Sequence, residues 1–422
     1  MANVPLGKKY WTLWASSSIS NLGDGMRIVA LPLLGYTVSQ DPLEISLILT
    51  LSSLSWLTFG PLAGVLVDRL TWRRVIVFGN GIRFPLVGLF AGLVAAGETQ
   101  MWHIYMLAVI LPVCEAFADS AAQPAISSLV PENALEGANS RLFTARMLAQ
   151  DVVGSPVAGL LFGISASLPF LLDSISFGVS ALLILLIPVA ASDTCEPLKN
   201  DRTTRSIISD LKDGVRTIWQ QPLLRTITLT NAAVNFSLLL GTAVLVLFAK
   251  EDLKLSDSSY ALLFTSAALG SVLGGLCAPR IVKRMGSGPA LACAIGVIGM
   301  SRICFGLSVG PVTATAAYMA AGVAFALWVV AASSYRQRVT PQELQGRVYS
   351  AALALGHAAS VVAALASGFL TRTLGARTVM VLGGVLVLGC ALACIHTVRK
   401  VTRAEAQEYA VPLAGKEDEV TP

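Results

Sequence analysis

The chain has 422 residues, 55% of them hydrophobic and 13% charged, with a formal net charge of +5. A soluble domain averages about 45–50% apolar and about 25% charged residues, so this composition excludes a soluble enzyme. Apolar segments recur along almost the whole length, which also excludes a soluble body on one anchor.

The N-terminus, "MANVPLGKKYWTLW", is basic, but the apolar run after it is too long for a signal-peptide core and no small-residue cleavage site precedes Gly35. It reads as an uncleaved first span over 12–36. Inside it lies "SNLGDGMRIVALPLL", with Asp24 and Arg27 one helical turn apart. A charge at mid-membrane costs roughly 2.5–3.5 kcal/mol even on a lenient insertion scale, so the pair needs a reason. Further apolar runs predict spans over 44–67, 75–97, 102–125, 143–165 and 168–191. The second half adds 225–249, 258–279, 289–309, 311–334, 347–371 and 376–397. The expected architecture is an all-α membrane protein of twelve transmembrane helices in two pseudo-symmetric six-helix bundles. Its parts are residues 1–191, a cytoplasmic linker 192–224 with an amphipathic helix (Ile207, Ile208, Leu211, Val215, Ile218, Trp219), residues 225–397, and a polar, disordered tail 398–422.

Between spans two and three, "GPLAGVLVDRLTWRRVIV" sets Gly64, Asp68, Arg69, Arg73 and Arg74 at fixed spacing. Gly64 permits close helix approach, Asp68 can accept charge-assisted hydrogen bonds at a helix end, and the arginines reach the head-group level. Positive charge required by topology alone is the bland alternative. Span four carries Glu115 and Asp119 on one helical face. Span five carries Arg146, Asp151 and the run Gly154, Pro156, Gly159, which predicts a kink with close packing. Asp173 lies nearer the end of span six and reads as structural, and Arg83 and Arg302 have no partner assignable from sequence.

The halves repeat. "LVPENALEGANSRL" precedes span five and "RVTPQELQGRVYSA" precedes span eleven; Gly137 and Gly159 recur 209 residues later as Gly346 and Gly368. Asn21 similarly matches Asn231 at an offset of 210. Such a repeat around a long loop describes two bundles with a cavity between them, the arrangement of an alternating-access carrier. With both termini cytoplasmic, 22 of the 30 lysines and arginines fall in inside segments and 4 in outside loops. This fixes the expected orientation, in a cell inner (plasma) membrane, and gives the net charge no bearing on nucleic acid.

Seven cysteines and three dispersed histidines form neither a disulfide framework nor a metal site, and no HExxH occurs. No GxxxxGK[ST] occurs either: Gly7-Lys8 and Gly415-Lys416 are followed by Lys and Glu. No cofactor, metal or nucleotide is therefore expected, and the energy comes from an ion gradient or the cargo's own gradient.

The 64–74 spacing resembles the G-x-x-x-D-R-x-x-x-R-R motif of the major facilitator superfamily. "VALPLL", "LPFLLDSISFGVSALL", "SSLVPENALEGANS" and "YRQRVTPQELQGRV" look like its macrolide, multidrug and siderophore exporter branch, over roughly residues 10–397. The resemblance implies that Gly64, Asp68, Arg69, Arg73 and Arg74 latch the two halves in one state. The second half keeps Gly275, Arg280 and Arg284 but has Pro279 near the place of the aspartate, so the latch rests on Asp68. Ser155 to Leu160 lies where drug–proton antiporters have G-P-x-x-G-G, with Ser155 and Leu160 replacing glycines. Span four lacks the arginine common in such antiporters, so that residue's coupling role does not transfer. The expected function is proton-coupled efflux of a small hydrophobic compound by a monomer in the bilayer. Asp24, Arg27, Glu115, Asp119, Arg146 and Asp151 are the proton-coupling and cavity candidates, and a static Asp24–Arg27 pair is the alternative. Import or facilitated passage of a metabolite, or ligand sensing without transport, are the competing functions.

Overall fold

The computed structural model describes residues 6–67, 70–131, 134–187, 204–340, 345–393 and 395. Asp68 and Arg69 of the expected latch, Pro341 and Leu344 of the repeat, the linker before Thr204 and the tail 398–422 lie outside the described residues.

Every regular element among the described residues is helical. In the first half, α1 spans Lys8–Val38, α2 Pro42–Val67, α3 Trp72–Ala96 and α4 Met101–Leu129. The fifth span is divided into α5 (Leu135–Met147), a π-helical turn (Leu148–Gly154) and α6 (Ser155–Ile164), and α7 covers Leu168–Leu185. After the linker helix α8 (Thr204–Gln220) come α9 (Pro222–Thr242), the short α10 (Leu245–Leu247) and a second π turn, Phe248–Asp252. They are followed by α11 (Asp257–Met285), α12 (Ser287–Gly306), α13 (Pro311–Val339) and α14 (Gln345–Leu374), and a final helix α15 covers Ala376–Ala393. Ten of these segments are long and apolar enough to cross a membrane, and α9 joins them when counted with the end of α8. At 31 residues and about 1.5 Å per residue, α1 is long enough to cross but is diluted by its serines, Asn21, Asp24 and Arg27. The first spans of the two halves, α1 and α9, both carry several polar residues along their length. Their polar residues face inward rather than lipid, while Phe78, Leu89, Leu182 and Leu392 point outward with 73%, 73%, 62% and 70% of their surface free. In hydrocarbon such exposure costs nothing; in water it would mark aggregation.

α8 turns 113° into α9. Its Ile218 is buried against Leu224, Val348 and Ala351, with Val215 beside them, and Trp219 is 53% exposed on the other face. A helix seated across the bundle ends with an outward tryptophan matches an interfacial position.

The buried apolar residues show how the halves meet. At the end of the molecule where α1 finishes, one continuous core takes Met26, Val29, Leu33, Leu34 and Phe170 from the first half and Val244–Ala249, Tyr260 and Val379 from the second. Nearer the termini the core divides. One part holds Tyr10, Trp72, Val75 and Ile184 of the first half, the other Ile227, Leu291, Ile295 and Trp328 of the second. Among the described residues the apolar core joins the halves at one end and is divided between them at the other. Two repeat-related glycines make the seal close. A methyl on Gly159 would come within 2.5 Å of Ala261 Cβ and 2.8 Å of the Asp257 carbonyl oxygen on α11; one on Gly368 would run into Ser46 and lie 2.9 Å from Leu43 Cα on α2. Small residues at these places let two helix backbones touch. Arg372 also reaches Asp41 across the halves at 3.5 Å.

Candidate functional site

The stretch "GDGMR" of α1 is wedged between two neighbours. A Cβ on Gly23 would collide with Ser176 and Asp173 of α7, and one on Gly25 with the Gln150 carbonyl of the π turn. The two glycines therefore allow α1 to lie directly against both, and Asp24 between them is held in the interior. The π turn supplies the other surface. Its last bond runs from the Ser155 N–H to the Gln150 carbonyl, five residues back, just before Pro156, which has no N–H to donate. Gly154, at the end of the turn, would place a methyl 2.8 Å from the Leu22 carbonyl and 3.1 Å from Gly25 Cα. Gly154 ends a π turn with close packing, immediately before Ser155 and Pro156, and π turns inside helices often accompany functional sites.

The charges form one chain of ion pairs. Arg27 Nη2 donates to Asp24 Oδ1 at 2.6 Å and lies 3.7 Å from Glu115 Oε2, while its Nε is 3.7 Å from Asp173 Oδ2. Arg146 Nη2 donates to Glu115 Oε1 at 3.3 Å and its Nη1 to Asp119 Oδ2 at 2.7 Å. Glu115 thus sits between two guanidinium groups, and α1, α4, α5 and α7 all contribute. Side-chain exposure falls along the chain, from 40% at Asp119 to 16% at Glu115, 5% at Asp24 and 0% at Asp173. A polar pocket of about 60 Å³, edged by Ser17, Ser20, Asn21 and Asn80, adjoins Asp24, Glu115 and Asp119.

Five of the six coupling candidates are brought together: Asp24, Arg27, Glu115, Asp119 and Arg146. Asp151, in the π turn, forms no ion pair among the described residues. Sequence reasoning set aside Asp173, yet it is fully buried beside Arg27, and its two oxygens have no hydrogen-bond partner. Arg83 belongs here too. It is buried over the Phe177 ring, 5.0 Å from its centroid, donates weakly to the Leu111 carbonyl at 3.4 Å, and is close enough to Glu115 and Asp173 to act on both. A single acid in an apolar run, Asp173 in "LPFLLDSISF", is itself a signal that something in the interior answers it.

Of the residues of the expected latch, Arg73 makes two bonds to the end of α7: Nε to the Ile184 carbonyl at 3.2 Å and Nη2 to the Leu185 carbonyl at 2.6 Å. Arg74 is exposed, and Gly64 lies within α2. No group of three or more potential metal ligands occurs among the described residues.

Two helical halves joined by an apolar core at one end, with a buried charge network inside the first, have the architecture of a membrane transporter. The sequence profile of the Major Facilitator Superfamily matches residues 13–364 and 232–412; the chain belongs to this superfamily. It is 24% identical to the MFS-type transporter YfiS of Bacillus subtilis (strain 168), over 97% of each chain. It is 23% identical to the multidrug efflux pump Tap of Mycolicibacterium fortuitum, covering 89% of this chain and 92% of Tap. It is also 21% identical to macrolide efflux protein A of Streptococcus pyogenes, covering 93% and 97%. Among solved structures, the nucleoside transporter NupG superposes with a TM-score of 0.77 at 12% identity, covering 92% of this chain and 99% of NupG. A bacterial homologue of ferroportin in an inward-facing state gives 0.69 at 17% identity, covering 92% and 100%. At these identities the structures speak for the fold alone.

Proposed function

We propose that the protein is a proton-coupled exporter of a small, fairly apolar compound, working as a monomer by alternating access in the plasma membrane with both termini in the cytoplasm. The orientation rests on the lysine and arginine asymmetry. In that orientation the sealed end faces outward and the described conformation opens to the cytoplasm. The direction of transport is supported by the efflux relatives at 21–23% identity. Residues 1–191 and 225–397 are the two moving bodies, 192–224 the linker and 398–422 the tail, and the 64–74 cluster is the cytoplasmic latch.

One observation carries the coupling: the ion-pair chain whose exposure falls from Asp119 through Glu115 to Asp24. Asp24, Glu115, Asp119 and Asp173 answer Arg27, Arg83 and Arg146, which leaves one carboxylate charge in excess when all are ionised. In a low-dielectric interior an uncompensated charge is costly, and one proton removes the excess. Asp119 and Arg146 form the wet mouth where that proton enters, Glu115 is the step between, and Asp24 holds it. Rocking of the halves moves the fifth span against α11, so Arg146 on α5 is placed to change its grip on Glu115 as the state changes.

The test is efflux of a panel of toxic compounds from cells with and without the expressed protein, in the presence and absence of a protonophore. Protonophore-sensitive protection against at least one compound is expected. Accumulation in place of protection assigns import, and protection indifferent to the protonophore removes proton coupling.

A further inference from the structure

Among the described residues, the second half holds one half-buried arginine in mid-bundle with no acid to answer it. Arg302 on α12 donates from Nη2 to the Leu238 carbonyl at 3.3 Å, and among the described residues no carboxylate pairs with it. In the first half, each interior arginine lies near acids. Arg302 lines a cavity of about 140 Å³ at mid-height between α9, α11, α12 and α13. Phe305, Phe325 and Tyr318 form its aromatic walls, with Ser271 and Ser301 as the other polar groups. The Phe305 and Tyr318 rings stand 4.7 Å apart. Room for the guanidinium is made by Gly241, where a methyl would come within 2.6 Å of Arg302 Nη1.

A guanidinium held in an aromatic-walled cavity without a counter-charge gains most from an incoming anion, because a carboxylate can take two parallel N–H bonds from it. The size restricts what accompanies the anion, since a cavity of about 150 Å³ lined by apolar side chains accommodates benzene. We infer that this cavity is a subsite for a carboxylate-bearing aromatic group of the cargo, with Arg302 gripping the carboxylate and Phe305, Tyr318 and Phe325 enclosing one ring. The inference rests on the transport reading for its purpose, but binding itself does not require transport.

The purified protein in detergent is titrated calorimetrically with 3-phenylpropionate, 3-phenylpropan-1-ol and 3-phenylpropylammonium. The acid should bind at least about tenfold more tightly than the alcohol, and the ammonium should bind most weakly. Arg302→Gln should erase the preference for the acid, whereas Arg302→Lys should retain part of it. Removing a cation that has no acid partner strands no opposite charge, so the Gln variant should fold, as its melting temperature will report. Gly241→Ala keeps Arg302 but crowds Nη1, and should weaken the acid more than the alcohol. A wild-type protein that fails to prefer the acid, by equal binding or by none, overturns the subsite, as does a preference that survives Arg302→Gln. A protein that binds the acid at Arg302 yet moves nothing leaves the subsite standing and overturns the export reading alone.

Discussion

Asp24 is held 2.6 Å from Arg27 and also stands toward the dry end of a graded chain, one step short of Asp173, and the two roles separate on mutation. As proton carrier, Asp24→Asn should abolish gradient-driven export while keeping downhill exchange, because the amide imitates the protonated acid. As a static partner alone, the change should chiefly destabilise the protein, since removing one member of a buried pair costs about 3–5 kcal/mol. The double change Asp24→Asn with Arg27→Gln relieves that cost, so uphill export measured in it decides: its return removes Asp24 from the proton path. Arg146 makes a second prediction. Because it grips Glu115 and Asp119 together, Glu115→Gln and Asp119→Asn should each leave measurable coupling, and the double variant should lose it. Equal, complete loss in both single variants, read in the same export assay, would contradict this sharing.

At the scale of the element, Arg73 ties α3 to the end of α7. Helix ends leave carbonyls without partners, and a cation there also meets the negative end of the helix dipole. Arg73→Ala should lower the melting temperature by a few degrees, from the loss of about 1–2 kcal/mol in two hydrogen bonds to carbonyls, and Arg73→Lys should restore part of it. An unchanged melting temperature would leave the tether without energetic weight. Helices were the legible part of this chain because lipid forces every backbone group to be satisfied within its own segment, so each apolar run declares a helix. Gly154 and Pro156 announced an interruption in the fifth span, but not that it would be a π turn, whose register depends on the contact with Gly25 across the bundle. The surroundings of Arg83 and Asp173 were illegible for the same reason. Their partners lie on other helices, and a residue's own segment says nothing about who stands opposite. The Gly159 and Gly368 repeat was plain in the sequence, but its meaning, backbone contact between halves, came from packing.

For the whole molecule, Asp41 and Arg372 mark where the halves must part when the sealed end opens. Replacing both by cysteine and joining them with a short bifunctional thiol reagent should stop transport, and a reducible linker should restore it on reduction. Undiminished transport in the joined protein would mean the halves do not separate there.

That end is closed chiefly by apolar side chains, among them Val244, Leu245, Leu247, Tyr260 and Leu263, rather than by a ring of ion pairs. Wetting apolar surface raises heat capacity by about 0.45 cal/K/mol per Å². The equilibrium between the two conformations should therefore curve with temperature instead of following a straight van't Hoff line. Cooling weakens hydrophobic closure, so the population open at this end, read from spin-label distances across the Asp41 and Arg372 positions, should rise in the cold. The carrier would then keep an intrinsic thermometer in that seal, set by how much oil-like surface the two halves hide from water.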